Sequence, residues 1–164
     1  MAARAITAAR GFTGAPLVQS VKYTTGQTFV GGAALTLSSG EVIEDTSPIT
    51  GATVFGFAAE KVASKPGYDA ANSPTVVTNR VQEVAVYRAN AQTVFSGALV
   101  NNSATVIAPA QTDIGVNYGL KAYSGIWCVD KNLTAGNATV TIVDIDIDNK
   151  IVYFRVMAAR LQAP

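Results

Sequence analysis

Histidine is absent from the chain, cysteine occurs once, and only 23 of 164 residues are charged, 12 of them Lys or Arg and 11 Asp or Glu. Each shortage excludes something. Histidine is the one side chain whose ordinary pKa falls in the physiological window, and it is the commonest metal ligand and general base. Without it, proton transfer near neutral pH would fall to carboxylates or to a Ser-Lys pair. Neither Gly-x-Ser-x-Gly nor a P-loop Gly-Lys-Ser/Thr occurs. The expectation is a chain that is not an enzyme and carries no cofactor. A single cysteine cannot form an internal disulfide, so this is not a disulfide-stapled secreted domain. Cys128 stands in the apolar run Ile126-Trp127-Cys128-Val129 and should be buried and inert.

Long apolar runs are missing too: none approaches the roughly 20 residues of a membrane helix. The net charge of +1 gives no electrostatic case for a nucleic-acid or membrane partner. The charge is unevenly spread, because Arg4, Arg10 and Lys22 all precede the first acid, Glu41. What fills the chain is Val, Ala, Thr, Gly, Asn and Ser. Hydrophobic residues make up 49% and charged ones 14%, against roughly 25% charged in ordinary soluble domains. With so few charges, part of the outside should be covered by uncharged polar groups and part buried against other chains. A homo-oligomer is expected.

Residues 1–16 run Ala- and Arg-rich into Gly11-Phe12-Thr13-Gly14-Ala15-Pro16. They have the tint of a transit peptide but lack the apolar stretch of a secretory signal. We take them as a flexible arm, with Arg4, Arg10 and Phe12 as candidate anchors on a neighbour. Residues 17–164 should form one domain. Leu17–Tyr23 alternates as a strand. Gly31-Gly32-Ala33-Ala34-Leu35-Thr36-Leu37, then Ser38-Ser39-Gly40, then Glu41-Val42-Ile43-Glu44 predicts a hairpin. Further strands are expected at 28–30, 53–58, 76–77, 81–88, 93–97, 105–108, 118–120, 125–130, 139–147 and 151–157. A loop is expected at 65–74, and a helical turn at 111–115 capped by Thr112 or Asp113. The tail from Ala158 should lie on the surface. The sum is an all-β single domain, a β-barrel or β-sandwich of about ten short strands with an extended N-terminal arm.

The sharpest chemical candidate is Asp144, Asp146 and Asp148. Three carboxylates at alternate positions of one strand could gather a hard cation such as calcium. The EF-hand pattern fails, because its Gly and Glu positions hold Asn149 and Arg155. A wet strand face, with Thr141, Val143, Ile145 and Ile147 opposite, is the better account. No metal is expected. Phe55, Phe57, Tyr87, Phe95, Trp127, Tyr153 and Phe154 are expected in the core rather than on a stacking platform.

Five segments stand in a telling order: Gly31 to Leu37, Val54-Phe55-Gly56-Phe57-Ala58-Ala59-Glu60, Asp113-Ile114-Gly115-Val116-Asn117-Tyr118-Gly119-Leu120, Gly125 to Asp130, and Val143-Asp144-Ile145-Asp146. Over residues 17–157 they resemble the small head decoration, or cement, proteins of tailed bacteriophages. The resemblance implies a non-enzymatic structural protein, made in the bacterial cytoplasm and ending on the outer capsid surface of the virion. It implies the major capsid protein as partner and a trimer that bridges neighbouring capsomers. A terminal arm would reach adjacent subunits, with Arg4, Arg10 and Phe12 as anchors. Two other readings stay open: a self-assembling tail or baseplate β-domain, and a carbohydrate-binding β-sandwich with its aromatics exposed in one patch.

Overall fold

The structure, a computed structural model, describes residues 4–10, 17–24, 26–62 and 83–162. Among these residues eleven strands form: β1 (Thr7–Arg10), β2 (Val18–Lys22), β3 (Ala34–Ser38), β4 (Glu41–Glu44), β5 (Gly56–Ala58), β6 (Glu83–Arg88), β7 (Val94–Val100), β8 (Asn117–Tyr123), β9 (Ile126–Asp130), β10 (Val140–Asp146) and β11 (Ile151–Val156). The only helices among them are three single 3₁₀ turns, and no helix is long and apolar enough to cross a membrane. The chain is all-β, as its composition and turn spacing lead one to expect.

The strands divide into two sheets, each curled back on itself. The first has the order β1-β7-β11-β10-β8-β9, and β9 also pairs in parallel with the end of β7, through Leu99↔Val129 and Val100↔Asp130. Strands β7, β11, β10, β8 and β9 therefore close a ring, with β1 attached outside it along the start of β7. The second sheet runs β2-β6-β5-β3-β4, and a parallel bridge from Tyr23 to Val42 links its two ends. Curling leaves few open edges.

Two hairpins share one turn chemistry. Ser38 pairs with Glu41 across Ser39-Gly40, and Tyr123 with Ile126 across Ser124-Gly125. All four loop residues have positive φ, between 52° and 84°. That is the two-residue turn whose twist matches antiparallel strands, and glycine takes its second position without strain.

One core joins the sheets. Phe57 of the second sheet packs on Phe95 and Phe154 of the first, with ring centroids 4.6 and 6.1 Å away. Trp127, Phe55, Leu35 and Leu120 are buried in the same cluster. Polar bonds also cross between the sheets. Trp127 Nε1 donates to Glu44 Oε1 at 2.9 Å, Ile49 N to Leu120 O at 3.1 Å, and Ala122 N to Ser47 Oγ at 2.7 Å.

Several expectations are corrected here. Residues 7–10, assigned by the sequence to an arm outside the domain, form a strand of the first sheet, and the neighbouring Ile6 is fully buried in the shared core. Ile6 is seated by two glycines, Gly32 in the turn before β3 and Gly97 in β7. A Cβ on Gly32 would stand 2.6 Å from Ile6 N, and one on Gly97 would stand 3.2 Å from Ile6 Cγ1. The tail is not simply surface: Leu161 bridges Val54, and the Gln162 side chain bonds both N and O of Leu37. Residues 28–30 and 105–108 are not strands, apart from a single bridge at Val106. The expected loop at 65–74 and strand at 76–77 lie outside the described residues.

The pattern of β10 is also corrected. Val140 and Ile142 are the buried residues, not Thr141 and Val143. Strict alternation from Val140 and Ile142 would then turn Asp144 inward. A bulge prevents it: Ile142 faces Phe154 while Asp144 faces Tyr153, so one extra residue sits in β10. The bulge shifts the inward face, so that Ile145 packs on the core and Asp144 stays exposed.

Candidate interaction surface

Two of the sequence candidates, Arg4 and Asp146, fall at one end of the first sheet. Arg4 lies just before β1, and Asp146 ends β10. Strands β1, β7, β11 and β10 are consecutive neighbours, so the two residues approach across the sheet. Asp146 is held below the usual carboxylate range, first by the Asn149 side-chain amide (2.8 Å), then by Asn149 N (2.9 Å), with a smaller contribution from the Arg4 charge. Thr7 Oγ1 and Ser96 Oγ lie 3.0 Å apart beside them. Arg4, Ala5, Thr7, Ser96, Gly97 and Ile151 line a shallow hollow of about 300 Å³. Arg10 belongs to β1, and Phe12 lies outside the described residues.

The three aspartates do not converge. Asp146 is spent on Asn149 in the turn, and Asp144 Oδ1 accepts from Ile145 N at 2.9 Å. Asp148 is exposed within the turn. Among the described residues no group of three or more Asp, Glu, Cys or His side chains is placed to hold a metal ion.

Of the buried acids the sequence singled out only Asp113, as a candidate cap; all of their oxygens except one of Asp45 have internal partners. Asp113 is 1% exposed. Its Oδ1 accepts from Tyr118 Oη (2.6 Å) and Lys131 Nζ (2.7 Å), and its Oδ2 accepts from Ala110 N (2.8 Å). It therefore closes the 3₁₀ turn Gln111–Asp113 from the third position; the capping position itself is Ala110. Burial pushes its pKa up, but the bonds from Lys131, Tyr118 and Ala110 outweigh that and hold it below the usual carboxylate range. Asp130 is fully buried. It accepts from Tyr123 Oη (2.6 Å) and from the backbone N of Asn102 and Asn132, both at 2.9 Å. Tyr118 and Tyr123 are both pushed well above the ordinary phenol range, first by burial and then by the adjacent carboxylate. These groups hold loops to strands; spacing could not reveal them, because each pairs with residues on other strands or loops.

Asp45 is different. Its Oδ1 accepts from Thr46 N at 2.8 Å, but its Oδ2 is buried with no partner among the described residues. Burial pushes its pKa up. An acid with a raised folded pKa binds protons more readily in the folded state, so its ionisation costs stability as pH rises through that window. Asp45→Asn is expected to stabilise the protein by about 1 kcal/mol at pH 7, since a neutral orphan costs less than a charged one. The gain should vanish below the ordinary carboxylate pKa. Chemical denaturation at pH 7 and pH 3.5 checks both halves.

Cys128 is fully buried, as its apolar run suggests, and its thiol is pushed up to about 11 by burial and then by the Asp130 charge. It should react with a disulfide reagent at pH 8 only at the rate of global unfolding. A fast native-state reaction would contradict the packing.

Exposed aromatics are missing among the described residues. The exposed large apolar residues are instead Leu17 (55%) and Val18 (52%), side by side at the start of β2, with Val30, Ile114 and Ile147 scattered elsewhere. A scan against protein-family models finds no match, and neither a search of curated proteins nor one of solved structures returns a similar chain.

Proposed function

We propose that the chain is a non-enzymatic structural virion protein that binds the outer surface of a phage capsid and stabilises it by bridging neighbouring capsomers. Its partner in this reading is the major capsid protein, and its working form is a homo-oligomer, with a trimer favoured. The observation that carries the proposal is the division of labour among side chains. Asp113 and Asp130, the two most deeply buried acids among the described residues, are spent on internal bonds, while adjacent apolar residues, Leu17 and Val18, stay exposed on a sheet edge. That suits a stiff body that acts through its surface. The family resemblance over residues 17–157 supplies the capsid. The aromatics among the described residues are all fully or partly buried, which counts against a carbohydrate platform.

Such a protein would work by mass action, since a ligand that binds only the closed shell favours it over dissociated parts. Many weak contacts repeated over a lattice add as avidity. The test is to mix the purified protein with mature phage capsids, sediment them, and measure bound copies and capsid melting temperature. Saturable binding that raises the melting temperature supports the reading. Absence of binding, with self-assembly into tubes or rings instead, would transfer the protein to the tail or baseplate class.

A further inference from the structure

Among the described residues, β2 has no second neighbour before the bridge from Tyr23 to Val42, and this stretch of edge lacks the usual guards. Its register with β6 is unbroken over five pairs, from Val18↔Tyr87 to Lys22↔Glu83. It contains no proline and no bulge. Its one charged side chain, Lys22, is neutralised by Glu41 at 2.5 Å, and Ser20 is tied to Glu83 at 2.6 Å. The contrast is β1, the outer strand of the other sheet, which has a register shift between Ala8 and Arg10. Proteins guard edges that must stay unpaired, so an unguarded edge with exposed apolar residues is one that finds a partner.

The hydrogen-bond phase says which groups await it. Arg88 N donates to Leu17 O at 2.9 Å. In an antiparallel ladder this turns the N–H and C=O of Leu17, Gln19 and Val21 towards β6. Those of Val18 and Ser20 point to the open side, where no described residue pairs with them.

We propose that β2 pairs antiparallel with β2 of a second copy about a two-fold axis through Gln19. The segment Leu17-Val18-Gln19-Ser20-Val21 is almost self-complementary when reversed. About that axis Leu17 stands opposite Val21 of the other copy, Val18 opposite Ser20, and Gln19 opposite Gln19. The open N–H and C=O groups of Val18 and Ser20 are then all satisfied, in four new bonds. Leu17 gains an apolar neighbour, and no charges confront one another. An isologous contact of this kind closes on itself. Five residues of edge bury less than the roughly 1,200 Å² of a stable specific interface, so the pair forms at high protein concentration. The inference does not rest on the capsid reading: it concerns the free protein in solution, where the two-fold pair is distinct from a trimer on a capsid, and a trimer found in solution would count against it.

The test uses the exposed residue on the axis. Sedimentation of the full chain over two decades of concentration should show a reversible dimer. Gln19→Lys and Gln19→Glu each place like charges face to face and should weaken association by about tenfold or more. An equimolar mixture of the two should restore it, because each axis then carries an opposite pair. The amides of Val18 and Ser20 should exchange more slowly as the concentration of the unaltered protein rises. A protein that stays monomeric throughout overturns the proposal. So does association that neither variant changes, or variants that the mixture fails to rescue.

Discussion

Replacing Ile6 by alanine is expected to lower the unfolding free energy by about 3 kcal/mol, within the 2–5 usual for burying and then truncating such a side chain. Ile6 is fully buried and stands between Gly32 and Gly97, where backbones approach too closely for other side chains to refill the space. Removing residues 1–10 should cost more, because β1 also leaves its pairing with β7 at Thr7↔Ser96 and Ala8↔Phe95. The truncated chain should unfold at a much lower denaturant concentration than the intact one. The measurement is a urea titration followed by tryptophan fluorescence, which reports on Trp127, buried in the same core. An unchanged midpoint would return the segment to the role of a detachable arm. Gly32→Ala tests the same seat from the other side. Its Cβ would press on Ile6 N, and its φ of +82° is one that alanine tolerates poorly, so it should mimic the loss of Ile6.

The seat explains why the sequence misplaces this segment. Ala and Arg around one isoleucine carry no period, and an arm of this composition looks the same whether that isoleucine docks at home or elsewhere. Gly31-Gly32 stands at the head of the predicted hairpin, yet the purpose of its second glycine, leaving room for Ile6, depends on a contact 26 positions away along the chain. The β3–β4 hairpin was legible because its signals are local, Ser-Gly at the turn and alternation on both sides; the same turn at Ser124-Gly125 was missed, because Gly125 reads as the start of a strand. The ending of β10 was half legible. Its alternating Asp and Ile announce a strand with one wet face, but the bulge at Val143 is a device of pairing with β11 and leaves no mark in β10 alone. The acids that matter for the fold, Asp113 and Asp130, look in sequence like ordinary loop and strand-end residues. The open edge of β2 was likewise invisible as an edge, since alternation reports a strand and says nothing of how many neighbours it has.

Asp113→Ala should destabilise the protein by about 2–3 kcal/mol at pH 7, through the Tyr118 hydroxyl and Ala110 N–H that it leaves buried and unpaired. The Lys131 charge adds little to that figure, because its side chain is 38% exposed and can turn to water. Lys131→Met should therefore cost about 1 kcal/mol or less. Asp113→Asn is not a mild change here. Whichever way the amide is turned, its NH₂ faces a donor, either Ala110 N or the Tyr118 and Lys131 pair. The pH dependence separates the charge from the shape. The folded pKa of Asp113 lies below its unfolded value, so the stabilisation is fully present above the ordinary carboxylate range and drains away as pH falls through about 4 towards the folded pKa. The gap between wild type and Asp113→Ala should narrow over that window. Asp45 runs the opposite way, since its raised pKa makes the folded state gain as pH falls. Wild type should thus lose stability in acid less steeply than Asp45→Asn and more steeply than Asp113→Ala. If the three unfolding curves shift together between pH 6 and 3, neither carboxylate is held as the structure places it.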